Sequence, residues 1–279
     1  MNRIHRFVLI ASAAIALGAS LAAQQPAPGT PRGLAPIDLT GNWVSIVTED
    51  WRFRMVTPPP KDYASVPLNA AARAIADKWD PAKDEAEGNA CKSYGAANIM
   101  RVPGRLHISW QDDQTLKIET DAGQQTRLLH FIPSTGAAQP AASVEASWQG
   151  YSVAEWEFAG GRGGAPGGGR GGGGGGAGGG RGAGGPGAGA PPPPRGGSLK
   201  VVTTRLKEGY LRKNGVPYSE NTVVTEYFDR HDETDGSSWF TVTTVVDDPK
   251  YLAQNFITST HFKKEADASK WFPSPCKAR

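Results

Sequence analysis

Apolar and polar residues alternate with a period of two over much of this chain, the pattern of strands with one buried face. Residues 37–47 read as a first extended segment. Residues 51–56, Trp-Arg-Phe-Arg-Met-Val, alternate apolar with basic and predict a second strand, stopped by Pro58-Pro59-Pro60. One stretch has a helical period instead: Leu68, Ala72, Ile75, Ala76 and Trp79 form a single apolar stripe, ended by Asp80-Pro81. Residues 89–100 suggest a second, shorter helix interrupted by Gly95.

From residue 105 onward strands dominate. Residues 105–111, 116–121 and 125–132 predict a meander with turns at Asp112-Asp113 and Ala122-Gly123. Further strands are read at 147–158, 198–207, 222–230, 239–247 and 256–264, with Thr234-Asp235-Gly236 as a hairpin turn. About nine or ten short strands with turn signals predict a mostly-β fold, an antiparallel up-and-down barrel with one or two helices near its start.

Residues 160–197 break this pattern. They contain Gly, Ala, Arg and Pro, with one Ser-flanked exit into the next strand and no large apolar side chain, so they cannot bury a core. A free coil of that length has ends roughly 35 Å apart. Closing a long loop costs little more than closing a short one, so the tract fits between two paired strands. Its Arg-Gly-Gly triplets resemble RNA-binding tails but lack the interleaved aromatics that stack on bases.

The N-terminus reads as a secretory signal: Arg3 and Arg6, an apolar run over 7–17, and small residues at Ser20 and Ala22 that predict cleavage after residue 22. The run is short for a bilayer span of about 20 residues. The expected organisation is a signal at 1–22, a flexible leader at 23–36, and one domain at 37–279 interrupted by the insert at 160–197. The formal charge is +3; without Arg3, Arg6 and the insert's four arginines it falls to −3. A basic nucleic-acid-binding face is therefore not implied. Export to the periplasm or beyond makes a disulfide between Cys91 and Cys276 the expected state of the two cysteines.

Candidate chemistry is sparse. The segment 209–219 connects two strands and carries Tyr210, Arg212, Lys213 and Tyr218. Arg212 offers a carboxylate a bidentate fork and Tyr218 a hydroxyl donor; the plainer reading is a hairpin turn at Asn214-Gly215 with solvated cations. On the later strands, Val224, Glu226, Phe228 and Arg230 share one face, and Val223, Thr225, Tyr227 and Asp229 the other. Arg205, Glu226 or Tyr227 would be the inward charges or hydroxyl if the polar face lines a cavity. A buried charge needs a partner, so an inward Arg–Glu pair would mark a site. The histidines show no metal-ligand spacing, and no cofactor motif is present. His107 and His130, on nearby meander strands, are the two with any prospect of meeting. Trp110, Trp148, Trp156 and Trp239 line a cavity or, more simply, fill the core.

Gly41 and Trp43, in Asp38-Leu39-Thr40-Gly41-Asn42-Trp43, carry a resemblance to the Gly-x-Trp signature of lipocalins and their calycin relatives. That resemblance implies a closed barrel with the tryptophan plugging one end. The order of strand, helices and meander is similar to the fatty-acid-binding-protein branch, with a helical lid between the first two strands. The lid region here is longer, and the Gly-rich insert is foreign to that branch. Residues 209–218 also resemble a stretch in a group of exported bacterial proteins, which names no activity. The expectation is an exported protein that binds a small apolar or amphipathic ligand, with Arg205, Tyr210, Arg212, Tyr218, Glu226 and Tyr227 as candidate contacts. Two alternatives stand beside it: an acid–base hydrolase or isomerase on the same barrel, pairing a histidine with Glu226 or Asp229, and a cell-envelope interaction protein.

Overall fold

The computed structural model describes residues 27, 29–132, 143–158 and 196–279. The expected signal segment, the start of the leader and nearly all of the insert lie outside the described residues.

The alternation seen in the sequence becomes a closed barrel of nine strands. These are β1 (Gly41–Ile46), β2 (Arg105–Asp112), β3 (Thr115–Thr120), β4 (Thr126–Phe131), β5 (Tyr151–Phe158), β6 (Gly197–Thr204), β9 (Val223–Asp232), β10 (Ser238–Asp247) and β11 (Phe256–Glu265). Each pairs with its neighbour in chain order, and β11 returns to β1. The short strands β7 (Gly209–Arg212) and β8 (Val216–Tyr218) form a separate hairpin between β6 and β9.

The barrel is not antiparallel throughout: β4 pairs with β5 in parallel, Leu129 opposite Ser152 and Phe131 opposite Ala154. Strict up-and-down alternation closes only with an even number of strands. Nine therefore require at least one parallel seam, and the other eight pairings are antiparallel.

Trp43 is fully buried, packs edge-on against Phe240 with ring centres 4.7 Å apart, and donates its indole N–H to Leu39 O at 2.8 Å. Gly41 has φ +116° and lies beneath Lys264, whose Cε would stand 3.1 Å from a Cβ there, so a side chain would be strained. Phe240 stacks on Phe262 at 4.8 Å, and Phe228 follows at 6.1 Å. Trp110, Phe131 and Trp156 form a second aromatic group. These rings pack against one another and fill the interior.

A second apolar cluster caps the barrel end formed by Val224, Val246 and Phe256. It is built from the region between β1 and β2 and from the β7–β8 hairpin. That region contains α1 (Trp51–Arg54), α2 (Ala70–Ala76), α3 (Pro81–Ala86) and two 3-10 turns, Ala90–Tyr94 and Ile99–Arg101. In α2, Ala72 and Ala76 are buried as the stripe predicts, but Ile75 is exposed. The helix ends at Ala76 with Asp77 as its cap, short of the expected stop at Asp80-Pro81. Asp80 instead starts α3, where its carboxylate accepts from Ala82 N and Pro81 opens the first turn.

Two local expectations are corrected. Residues 51–56 are not a strand. Asp50 takes a left-handed φ of 49°, which breaks the extended chain, and α1 follows. The expected polarity is also reversed: Trp51, Met55 and Val56 are exposed while Arg54 is buried. Residues 89–100 form the two 3-10 turns rather than one helix. Gly95 separates them with an extended backbone, ψ 167°, and the position needs glycine because a Cβ there would meet Tyr218 Oη and Trp148 O.

The Cys91–Cys276 disulfide is present and ties the C-terminal segment to the cap. That segment also exchanges hydrogen bonds with the β3–β4 turn, Gly123 N to Ser274 O and Ser274 N to Asp121 O, both 2.9 Å. Residues 29–36 also contact the barrel: Trp156 Nε1 donates to Pro31 O at 2.8 Å.

Candidate functional site

Three arginines converge under the cap. Arg54 comes from α1, Arg101 from the second 3-10 turn and Arg212 from the end of β7, and all three are buried. With Phe53, Thr57, Asn98, Val102, Pro103 and Lys213 they line a small cavity of about 30 Å³. That is room for a couple of water molecules, or for the head of one compact oxyanion.

Two of the arginines have acidic partners. Arg54 donates to Glu49 through Nη1, to Ser45 Oγ at 3.0 Å and to Arg101 O at 2.9 Å. Arg101 pairs with Asp50 at 3.1 Å. Burial lowers both guanidinium pKa values, and the two acids oppose the shift.

Arg212 differs. Its Nη1 donates to Ala64 O at 2.6 Å and its Nη2 to Ser65 Oγ at 3.0 Å. Its guanidinium lies over the Phe53 ring at 4.2 Å and near Phe256 at 6.0 Å. Among the described residues no carboxylate pairs with it. Desolvation, and then the charge of Arg101, push the Arg212 pKa down to about 10. Two acids act on it from a distance and oppose the shift in part: Asp50, which is paired with Arg101 at 3.1 Å, and Asp62, which is engaged by Arg52 at 2.7 Å. Arg101 Nη1 and Arg212 Nε are buried and have no hydrogen-bond partner. Buried N–H groups without acceptors are costly unless something else supplies one.

The remaining sequence candidates scatter. Tyr210 donates to Asp84 Oδ2 at 2.8 Å, beside Trp79 Nε1 at 3.1 Å and Lys92 Nζ at 3.0 Å. Burial and that bond raise its pKa. Tyr218 is fully buried against Gly95 and Gly209, and its hydroxyl has no partner. Arg205 is exposed, at φ 59°, and donates to Val144 O at 3.1 Å. Tyr227 sits on the outer face of β9, opposite Lys200 and Thr243. Glu226 does point inward and does meet an arginine, but that arginine is Arg127 on β4. The structure thus brings Arg212 together with Lys213, and with none of the other five ligand candidates.

The histidines stay apart. His107 bonds Asn42 at 3.0 Å, whereas His130 stacks on Tyr151 at 5.1 Å. Among the described residues no group of three or more His, Cys, Asp or Glu is placed to hold a metal ion. Glu226 is held by Arg127, and among the described residues no histidine is bonded to it or to Asp229.

Sequence reasoning missed Arg54, Arg101 and Arg127. For Arg127 a signal existed: it shares a strand face with Leu129 and Phe131, both buried. For Arg101 and Arg54 none did, because irregular backbone positions them. No family model, curated protein or solved structure matches the chain.

Proposed function

We propose that this is an exported, calycin-like binding protein that holds a small amphipathic ligand by its anionic head, in the arginine pocket under the cap. The observation that carries the reading is Arg212, a cation 2% exposed with no carboxylate within ion-pair distance among the described residues. An unneutralised buried charge is costly, and a bound anion offsets that cost. The free N–H groups of Arg101 and Arg212 supply charge-assisted donors to it. Phe53, Val102 and Pro103 in the same lining offer apolar surface to the rest of the ligand.

Several features support the wider assignment. A helical segment stands between the first two strands, and Trp43 closes the barrel interior beside Gly41. The disulfide fits an oxidising compartment. Among the described residues no helix is long and apolar enough to cross a membrane. The reading places the ligand beneath the cap rather than among the strand aromatics, which pack against one another.

The test is a thermal-shift and calorimetric screen of the mature chain against small organic acids: carboxylates, sulfate esters and phosphate esters. A stabilising, saturable response that Arg212→Met abolishes is the expected result. If no acid gives more than an equal concentration of sodium chloride, the reading is wrong.

A further inference from the structure

The charge and donor arrangement of the pocket distinguish among anions. Four cations line it, Arg54, Arg101, Arg212 and Lys213, and two carboxylates, Glu49 and Asp50, are paired to the first two. Lys213 Nζ contacts only a neutral oxygen, Tyr94 Oη at 3.0 Å. The excess is two positive charges, on Arg212 and Lys213. A monoanion would leave one of them uncompensated in a desolvated setting, where charge interactions are strong.

The free donors also differ from those of a carboxylate fork. A bidentate carboxylate uses two parallel N–H groups of one guanidinium. Here the two terminal nitrogens of Arg212 already serve Ala64 and Ser65, and one of Arg101 already serves Asp50. What remains among the described residues is one unpartnered nitrogen from each of these two arginines, while the Lys213 ammonium, bonded to Tyr94, adds charge at the rim. Donors arriving singly from separate side chains match oxygens that point in several directions, not two oxygens in one plane.

Building on the anion-binding reading above, we infer that the pocket selects a phosphomonoester in its dianionic form. The group is tetrahedral and carries three terminal acceptor oxygens and close to two negative charges near neutrality. It is carried either by a soluble ester or by a lipid such as phosphatidic acid.

The groups that titrate near the pocket are identifiable. They are the carboxylates of Glu49 and Asp50, the three arginines and Lys213. His261 stands 3.5 Å from Glu49 on the side away from the arginine pair; it is not among the residues lining the pocket.

The experiment compares phenyl phosphate, phenyl sulfate and benzoate by calorimetry on the full mature chain at pH 8 and pH 5. Phenyl sulfate has nearly the same shape but one charge at both pH values. The expected result at pH 8 is phenyl phosphate bound about tenfold or more tighter than either monoanion. At pH 5 the phosphate has lost most of its second charge, since its second pKa is about 6, and its advantage over phenyl sulfate collapses. Sedimentation with phosphatidylcholine vesicles, with and without phosphatidic acid, then tells a lipid-borne group from a soluble one. Equal binding of all three esters and acids at pH 8 overturns the inference but leaves the anion pocket standing. Absence of binding by all three and by phosphatidic acid overturns both. A phosphate preference retained in Arg212→Met places the site elsewhere and also overturns the inference.

Discussion

Arg127 on β4 and Glu226 on β9, both without solvent exposure, face each other inside the barrel through Nη1–Oε1 at 3.1 Å and Nη2–Oε2 at 2.6 Å. Thr203 joins them, accepting from Arg127 at 3.4 Å and sharing a 2.7 Å hydrogen bond with Ser152. Thr244 and Thr258 continue the polar layer on β10 and β11. The layer separates the aromatic core from the cap cluster. Breaking such a pair leaves one buried charge unpaired, whereas replacing both partners removes the problem. Glu226→Gln should therefore lower stability by about 3–5 kcal/mol, and Arg127→Met with Glu226→Leu by far less. Urea unfolding of both variants checks this, and similar losses in the two would refute the argument.

Arg212 and Arg54 should respond differently to the same truncation. Arg54→Met takes from Glu49 its buried partner and leaves Ser45 Oγ and Arg101 O without their donor, so it should cost about 2 kcal/mol. Arg212→Met strands no acid and removes an uncompensated cation, so the unliganded protein should change by about 1 kcal/mol or less. Its effect should appear in anion affinity instead, as a loss of tenfold or more for a charge-assisted donor. Denaturation midpoints and calorimetric titrations of the two variants separate these outcomes.

The disulfide spans 185 residues, so it restricts the unfolded chain strongly. Replacing Cys91 and Cys276 by alanine should lower stability by about 5 kcal/mol in the chain-entropy model. The Ser274 bonds to residues 121 and 123 remain, and they alone should hold the tail weakly. An unchanged midpoint in non-reducing urea titrations would show instead that those bonds suffice.

His130 sets a pH dependence. Burial against Tyr151 lowers its pKa below the ordinary value, with Asp112 opposing only in part. The unfolded chain then binds the proton more readily than the folded one. Stability is complete above the unfolded pKa of about 6.5 and falls as pH drops through that value toward the folded one. His130→Phe keeps a ring over Tyr151 and removes the titration. Between pH 7 and pH 5 its unfolding midpoint should fall less than that of the wild type; parallel curves would exclude the assignment.

The barrel was legible because each strand carries its own period of two. β9 buries every second residue from Val224 to Phe228, and β10 from Phe240 to Val246, as their sequences alternate. Trp51–Arg54 misled because four residues fit either period, and the left-handed Asp50 that decides the matter has no pattern around it. The parallel seam was hidden for another reason: strand direction is a property of pairing, not of any one strand. The site was legible at Arg212 alone. Arg54 and Arg101 reach it from turns that are 47 residues apart in sequence, and only tertiary packing brings them together.

Phe158 ends β5 directly opposite Gly197 at the start of β6. Neighbouring strands lie about 5 Å apart, so the chain departs and returns at almost one point. Each doubling of what lies between costs only about 0.6 kcal/mol of closure entropy. Selection on stability is therefore nearly blind to the length of that stretch. The number of residues between Phe158 and Gly197 can thus change while the pairing of β5 with β6 is kept. The same indifference makes the position a port for grafting a reporter domain.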